Sequence, residues 1–104
     1  PWAAAALNDV LQGVITRGTA TAARIDRPAA GKTGTTSSER DIWFVGYVPQ
    51  LATAVWVGND DYQPIGHGAT GGTYVAPIWR DFMTQALQGV PVENFRSPSE
   101  FDRP

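Results

Sequence analysis

The stretch Asp41-Ile-Trp-Phe-Val-Gly-Tyr-Val48 decides the fold, because it has the length of one strand and is apolar on both of its faces. Side chains of a strand point alternately to its two faces. The two sets here are Ile42, Phe44, Gly46 and Val48 against Trp43, Val45 and Tyr47. Such a pattern is typical of a strand that is covered on both sides. The short connector Pro49-Gln-Leu51 and the apolar run Ala52–Gly58 follow, which predicts a hairpin.

The segments on either side of this hairpin complete the predicted architecture. Ala29–Thr36 reads as a further strand, and the short polar connector Thr36–Arg40 makes the three strands an antiparallel meander. Residues 3–17 carry apolar groups at helical spacing, namely Leu7, Val10, Leu11, Val14 and Ile15. A second helix is predicted after Thr73 as its N-cap, with an apolar stripe over Val75–Leu87 that ends before Gly89 and Pro91.

These elements define an α+β fold in the order helix, three-stranded antiparallel sheet, C-terminal helix. Residues 1–91 form the predicted folded unit, and the polar, proline-punctuated residues 92–104 are predicted to be a partly disordered tail. The glycine-rich residues 59–73 lack any period and read as a long surface loop.

Composition excludes several classes of protein. The chain has 104 residues, which is enough for one modest core and not for two. No apolar run approaches the roughly 20 residues that cross a bilayer, so we expect no membrane insertion by this segment. A net charge of −2 with scattered basic residues argues against nucleic-acid binding. The absence of cysteine excludes disulfides, a thiol nucleophile and thiolate zinc sites.

The aromatic side chains are large for so short a chain. Trp43, Phe44, Trp56, Trp79 and Phe82 each bury about 150–250 Å² when fully covered. Two helices and three strands do not suffice to cover all of them. We therefore expect part of this surface to meet structure that is absent from the chain.

The only lysine of the chain lies in Gly31-Lys-Thr-Gly-Thr-Thr36. A Gly-Lys-Thr triplet also ends the phosphate-binding P-loop, but that motif requires a glycine five positions before Gly31. Asp26 occupies that position, and its carboxylate would repel phosphate. The P-loop interpretation is therefore poor.

The same segment resembles the Lys-Thr-Gly strand of class A penicillin-binding proteins, which are serine acyltransferases. The resemblance extends to Leu11–Ala23, Asp41–Pro49, Val55–Asp60, Thr70–Gly72 and Ala76–Met83, so that it covers roughly residues 7–88. A bare Lys-Thr-Gly would be weak evidence, whereas a match of this spread is specific.

The resemblance implies roles for four residues. The family's substrate is a peptide that ends in D-Ala-D-Ala, which pairs with an exposed edge strand. Lys32 would supply positive charge for the substrate carboxylate and for proton transfer around the nucleophile, and Thr35 would supply a backbone N–H to the oxyanion hole. Thr33, Gly34 and Thr35 would bind substrate: the two hydroxyls share one face of the strand, and Gly34 admits a close backbone. Alternation points Lys32 away from these hydroxyls, and its long stem and the strand twist are expected to bring it back.

Other parts of the family's active site are absent from the sequence. The nucleophile belongs to a Ser-x-x-Lys motif, which cannot occur here because Lys32 is the only lysine, and no Ser-x-Asn occurs either. The resemblance thus implies one wall of a D,D-transpeptidase site that β-lactams acylate, in a parent with a membrane anchor and a glycosyltransferase domain. The implied partners are peptidoglycan stem peptides, β-lactams and the remainder of the transpeptidase domain, on the extracytoplasmic face of the cytoplasmic membrane.

Two other interpretations stay open. One is a fragment of a D,D-carboxypeptidase or β-lactamase that uses water as acceptor, although the match after the Lys-Thr-Gly triplet favours the transpeptidase. The other is a non-catalytic packing or binding module in which Lys32 is an ordinary exposed lysine, although the intact Lys32–Thr35 argues against it. We expect no cofactor and no metal, since Asp60, Asp61 and His67 in a glycine-rich loop are typical of solvated side chains.

Overall fold

The computed structural model describes residues 1–36, 39–61, 63–66 and 70–104. Helix α1 spans Trp2–Thr16 and is followed by a 3-10 turn at Thr21–Ala23. The strands are β1 (Ala30–Thr35), β2 (Asp41–Val48) and β3 (Leu51–Gly58). A π-helical turn at Gly71–Val75 leads into α2 (Ala76–Ala86), and a 3-10 turn lies at Pro98–Glu100. The predicted α+β class and the order of its elements are confirmed.

The sheet is the predicted antiparallel meander, in the order β1-β2-β3. Lys32 lies opposite Val45 and Gly34 lies opposite Trp43, which in turn lies opposite Trp56. Because directly opposed residues share a face, these five side-chain positions lie on one side of the sheet. β1 and β3 are the edge strands within the part of the chain that the structure describes.

The other side of the sheet, here called the closed face, holds the core. Its β2 residues Ile42 and Phe44 are fully buried, and α2 covers them with Trp79 and Met83. The Trp79 ring meets the Phe44 ring edge to face at 5.2 Å between centroids. Its indole N–H donates to the carbonyl oxygens of Gly46 and Thr53, so burial leaves no polar group of the tryptophan unpaired.

The opposite side, here called the open face, displays Trp43, Val45 and Trp56. These side chains are 43%, 46% and 47% exposed. Helix α1 packs against β1 and contacts the Tyr47 end of this face, where the Tyr47 hydroxyl donates to Asn8 Oδ1 at 2.5 Å. The open face is therefore apolar and only about half covered by the residues that the structure describes.

The predicted apolar stripe of α1 is buried only in part. Ile15 is buried as expected, but Leu7 and Val10 are 57% and 65% exposed, and the other buried positions are Ala5 and Gly13. The helix packs mainly on the edge strand β1, with the short turns at Thr21–Ala23 and Pro98–Glu100 also beside it, and this leaves Leu7 and Val10 facing outward.

The second helical segment begins earlier than its sequence pattern predicts. Thr70, and not Thr73, is the N-cap: its hydroxyl accepts the backbone N–H of Thr73, and the Thr73 hydroxyl accepts the backbone N–H of Thr70. This reciprocal capping box satisfies two donors at the helix start. Two glycines at 71 and 72 obscured the helical turn in the sequence because glycine is a poor helix former.

The segment that follows α2 packs against the loop before β1 and against the β2–β3 hairpin. The Arg27 guanidinium donates to the carbonyl oxygens of Leu87 and Val90, and the Gln50 amide donates to the carbonyl oxygen of Pro91. The Phe95 ring meets the Tyr47 ring edge to face at 5.6 Å. The partial disorder of residues 92–104 stays a prediction. Among the described residues, no helix has the length and hydropathy needed to cross a membrane.

Candidate active-site wall on strand β1

The residues singled out by the sequence lie together on the edge strand β1. Lys32, Thr33, Gly34 and Thr35 are here called the β1 wall. Lys32 is exposed and alternation directs it toward the open face, opposite Val45. Its amine nevertheless bends back to donate to the Thr33 carbonyl oxygen at 3.1 Å. The lysine stem thus folds along the strand, and the approach of its ammonium to the threonine hydroxyls stays a prediction.

The two threonines of the β1 wall point to the other side of the strand. The Thr33 hydroxyl lies 3.1 Å from the Thr19 hydroxyl, and either of the two can donate. The Thr35 hydroxyl oxygen accepts the backbone N–H of Gly71 at 3.3 Å. Since a hydroxyl carries both a donor and an acceptor function, the Thr35 proton stays available to a ligand.

Packing requires glycine at position 31 of β1 but not at position 34. A Cβ at Gly31 would lie 2.6 Å from the Phe44 ring and 2.9 Å from the Val45 carbonyl oxygen, so the core itself demands glycine there. A Cβ at Gly34 would approach nothing closer than the Trp43 Cβ at 3.6 Å, an ordinary contact. The fold therefore leaves Gly34 free of any packing constraint, and the space over it is open to another backbone.

Two further glycines bring the start of the second helical segment against the β1 wall. A Cβ at Gly71 would lie 2.4 Å from the Trp43 carbonyl oxygen and 3.0 Å from the Thr33 Cβ. A Cβ at Gly72 would lie 2.0 Å from the Thr19 carbonyl oxygen. Both residues must therefore be glycine for the helical turn, the loop at Thr19 and β1 to meet.

A cavity of about 540 Å³ opens beside Lys32, between β1 and the end of α1. Val10 and Val14 give it an apolar side, and Arg17, Thr19 and Lys32 give it a polar and cationic side. This open depression thus places two cationic side chains beside an apolar patch.

Sequence reasoning missed Thr19, Gly71 and Gly72 as neighbours of the β1 wall. Residues 19 and 33 lie 14 positions apart, and 71 lies 36 positions from Thr35. The only signal was that the segments containing them belong to the resemblance described above. Spacing along the chain carried no information about these contacts.

Other candidate residues do not join the β1 wall. Ser97 and Ser99 share a hydrogen bond with each other in the tail, whereas Ser37 and Ser38 lie outside the described residues. In the described ranges, no three acidic or histidine side chains form a group suited to a metal ion. His67 lies outside those ranges, so the expectation that Asp60, Asp61 and His67 bind no metal stays a prediction.

An edge strand with a Lys-Thr-Gly-Thr wall, flanked by helices on a three-stranded sheet, defines a class of protein that comparison with known proteins identifies. The family described as the penicillin-binding protein transpeptidase domain matches residues 1–84. This chain belongs to that family.

Particular relatives agree with this assignment. The chain is 43% identical over 93 residues to penicillin-binding protein 1A of Aquifex aeolicus and 40% identical over 92 residues to that of Neisseria flavescens, in each case over 88% of the chain. It is also similar to the crystal structure of penicillin-binding protein 1A from Haemophilus influenzae, with a TM-score of 0.76 and 29% identity over 88% of the chain. The chain spans only 13%, 11% and 15% of these three proteins.

Proposed function

We propose that this chain is the C-terminal part of a D,D-transpeptidase domain of a class A penicillin-binding protein, a serine acyltransferase that cross-links peptidoglycan stem peptides and is acylated by β-lactams. The observation that carries the proposal is the β1 wall. Within four consecutive residues it carries one ammonium and two threonine hydroxyls, on a strand whose outer edge has no strand partner in the described residues. Family membership supports the same reaction class.

The β1 wall suits a peptide that ends in a carboxylate. An extended peptide pairs with the free edge of β1 through main-chain hydrogen bonds, and Gly34 leaves room for its backbone. Lys32, Thr33 and Thr35 offer one charge and two hydroxyl donors to the carboxylate. The backbone N–H of Thr35 is the candidate oxyanion donor, a type of group whose loss costs about 2.7–4 kcal/mol in acyl transfer.

The reaction needs a nucleophile from outside this chain. A serine hydroxyl attacks the carbonyl carbon of the penultimate D-Ala, its proton goes to the leaving amine, and terminal D-Ala departs. An amine of a neighbouring stem peptide then attacks the acyl-enzyme, forms the cross-link and returns the serine. Lys32 acts in the first step by holding the substrate carboxylate and easing proton transfer near the serine.

The partial exposure of the apolar open face supports the proposal that the remainder of the transpeptidase domain packs against this chain. Trp43 and Val45 lie directly opposite Gly34 and Lys32, so whatever covers them lies next to the β1 wall. The matched relatives are several times longer than this chain. The same proposal assigns the protein to the extracytoplasmic face of the cytoplasmic membrane, held by an anchor outside this chain.

The test is acylation of the full-length protein by a fluorescent penicillin. We expect labelling of the parent, and Lys32→Ala is expected to slow it by at least about 100-fold, the scale of one lost transition-state interaction of a charged group. Arg103→Ala removes the same charge from the tail and serves as the matched control, with an expected change below two-fold. A parent that is never labelled, or a Lys32→Ala variant that reacts at the parental rate, would contradict the proposal.

The 104-residue chain alone gives a second test. Because the serine is expected elsewhere, this chain should take up no covalent label at a penicillin concentration that saturates the parent. Covalent labelling of the chain alone would mean that one of its own residues is the nucleophile.

A further inference from the structure

The loop at Thr19 touches the β1 wall through a single side-chain contact. The Thr19 hydroxyl lies 3.1 Å from the Thr33 hydroxyl, and this is the one side-chain hydrogen bond that Thr19 makes among the described residues. Thr19 is exposed and Thr33 is half-buried. Thr19 also lines the cavity beside Lys32, so its hydroxyl lies at the border between the strand and the groove.

The backbone holds this loop independently of the Thr19 hydroxyl. The Ala20 N–H donates to the Val14 carbonyl oxygen at 3.0 Å, and Ala20 itself is fully buried. The Thr19 carbonyl oxygen packs so closely on Gly72 that no Cβ fits between them. Removal of the hydroxyl alone therefore leaves the loop where it is.

The two hydroxyls of the β1 wall have comparable surroundings. The Thr35 oxygen accepts the Gly71 N–H, so its proton is directed elsewhere. The Thr33 oxygen has Thr19 as its neighbour, and when Thr19 donates, the Thr33 proton is released in the same way. A carboxylate is acceptor-only, so it binds a pair of threonines best when both have their protons free.

We propose that Thr19 is a positioning residue: its hydroxyl donates to Thr33 and thereby orients the Thr33 proton toward the carboxylate of the bound peptide or β-lactam. This role rests on the function proposed above. Thr19 does not touch the reacting atoms; it sets the direction of the hydrogen bond that Thr33 offers. The effect is on binding of the anionic group and not on the acyl-transfer step.

The experiment compares Thr19→Val with Thr19→Ser in the full-length protein. Valine keeps the shape and removes the hydroxyl, whereas serine keeps the hydroxyl. Thr19→Ala is a second variant without the hydroxyl. Thr21→Val is the matched control, since Thr21 lies in the same loop and its side chain makes no hydrogen bond within the described residues. Acylation kinetics at varied penicillin concentration separate the affinity of the non-covalent complex from the rate constant of acylation.

Two ligands that differ only at the carboxylate show whether the change in affinity depends on that group. One is a penicillin with its free carboxylate, and the other is the methyl ester of the same penicillin. With the acid, Thr19→Val and Thr19→Ala should weaken non-covalent affinity about five-fold, the size of one net hydrogen bond, with the acylation rate constant unchanged within two-fold. With the ester, either variant should change the affinity by less than about two-fold, because the uncharged ester is a much weaker acceptor for the Thr33 hydroxyl than the carboxylate. Thr19→Ser and Thr21→Val should match the parent on both ligands.

Each contrary result has a distinct meaning. Equal losses on the acid and the ester, or a loss in Thr21→Val as large as in Thr19→Val, would mean that the loop acts only through structure. Parental affinity of Thr19→Val for the acid would also overturn the positioning role. If the parent itself is not acylated, the proposed function fails first, and that outcome is separate from any effect at Thr19.

Discussion

The two faces of strand β2 contrast sharply, although both are apolar. On the closed face, Ile42 and Phe44 are buried under α2, and Trp79 has no exposed surface. On the open face, Trp43 and Val45 are nearly half exposed, as is Trp56 on β3. The same strand therefore contributes to a fully buried core on its closed face and to an apolar surface that is only partly buried on its open face.

This difference in exposure indicates that the part of the domain outside this chain covers the open face. A half-exposed tryptophan leaves on the order of 100 Å² uncovered, which corresponds to roughly 2 kcal/mol of unrealised hydrophobic stabilisation. Trp43 and Val45 lie opposite Gly34 and Lys32 in the sheet register. The uncovered apolar surface thus continues onto the Lys32 and Gly34 positions of the β1 wall, and the layer that completes the core would also lie beside these two positions.

The largest expected effect is the loss of Trp79 from the closed face. Trp79→Ala should destabilise the 104-residue chain by about 3–5 kcal/mol, because it removes a fully buried ring and the two hydrogen bonds of its indole N–H. Trp56→Ala on the open face is the matched comparison and should cost about 1–2 kcal/mol, because about half of this ring is already exposed and its indole N–H donates to an Asp41 carboxylate at the surface. Urea unfolding measures both. Equal losses would show that the two faces do not differ energetically.

The glycines give an intermediate effect. Gly71→Ala brings a Cβ to 2.4 Å from the Trp43 carbonyl oxygen, and we expect a loss of about 1–3 kcal/mol. Gly34→Ala meets only an ordinary contact and should leave stability unchanged or raise it by about 0.5 kcal/mol, since alanine restricts the unfolded chain.

The same Gly34→Ala exchange should slow acylation of the full-length protein by about ten-fold, because its methyl group occupies the space for the substrate backbone. Stability by urea unfolding and labelling by fluorescent penicillin are measured on one preparation. If Gly34→Ala is labelled at the parental rate, the substrate backbone does not come close to Gly34, and that part of the proposed site is wrong.

The smallest effect concerns Tyr47, where α1 reaches the open face. Burial raises the pKa of the Tyr47 phenol above its usual value of 10.0, since the phenolate is poorly solvated there. Above pH 10 the unfolded chain therefore releases this proton while the folded chain keeps it, and the free energy of unfolding falls as the pH rises through the folded pKa.

Tyr47→Phe tests this prediction by removing both the phenol and its hydrogen bond to Asn8. It should cost about 1 kcal/mol at neutral pH and flatten the decline in stability above pH 10. Urea unfolding at pH 7 and at several values above pH 10 measures both. An unchanged alkaline slope in the variant would show that another group causes the decline.

Much of the fold could be predicted because its signals are local. The two-sided pattern of residues 41–48 defined β2 with the bounds that the structure has, and the short connectors fixed an antiparallel meander. Helix boundaries were less accurate at the second helix, where two glycines masked a helical turn that Thr70 caps. The apolar stripe of α1 was identified, but its partial exposure could not be predicted, because periodicity indicates an apolar face and not what covers it.

Some features of the candidate site are likewise determined by the sequence, and others only by the tertiary structure. The residue types and order of Lys32, Thr33, Gly34 and Thr35 are properties of the sequence, and so are the alternation of the strand and the absence of a Ser-x-x-Lys motif. The tertiary structure alone decided that Thr19 and Gly71 meet the two threonines, that Lys32 folds back onto the Thr33 carbonyl, and that one apolar face stays open. The physical reason is that hydrogen-bonded turns and strand periods act over a few residues, whereas the contacts of Thr19 and Gly71 join segments that only packing brings together.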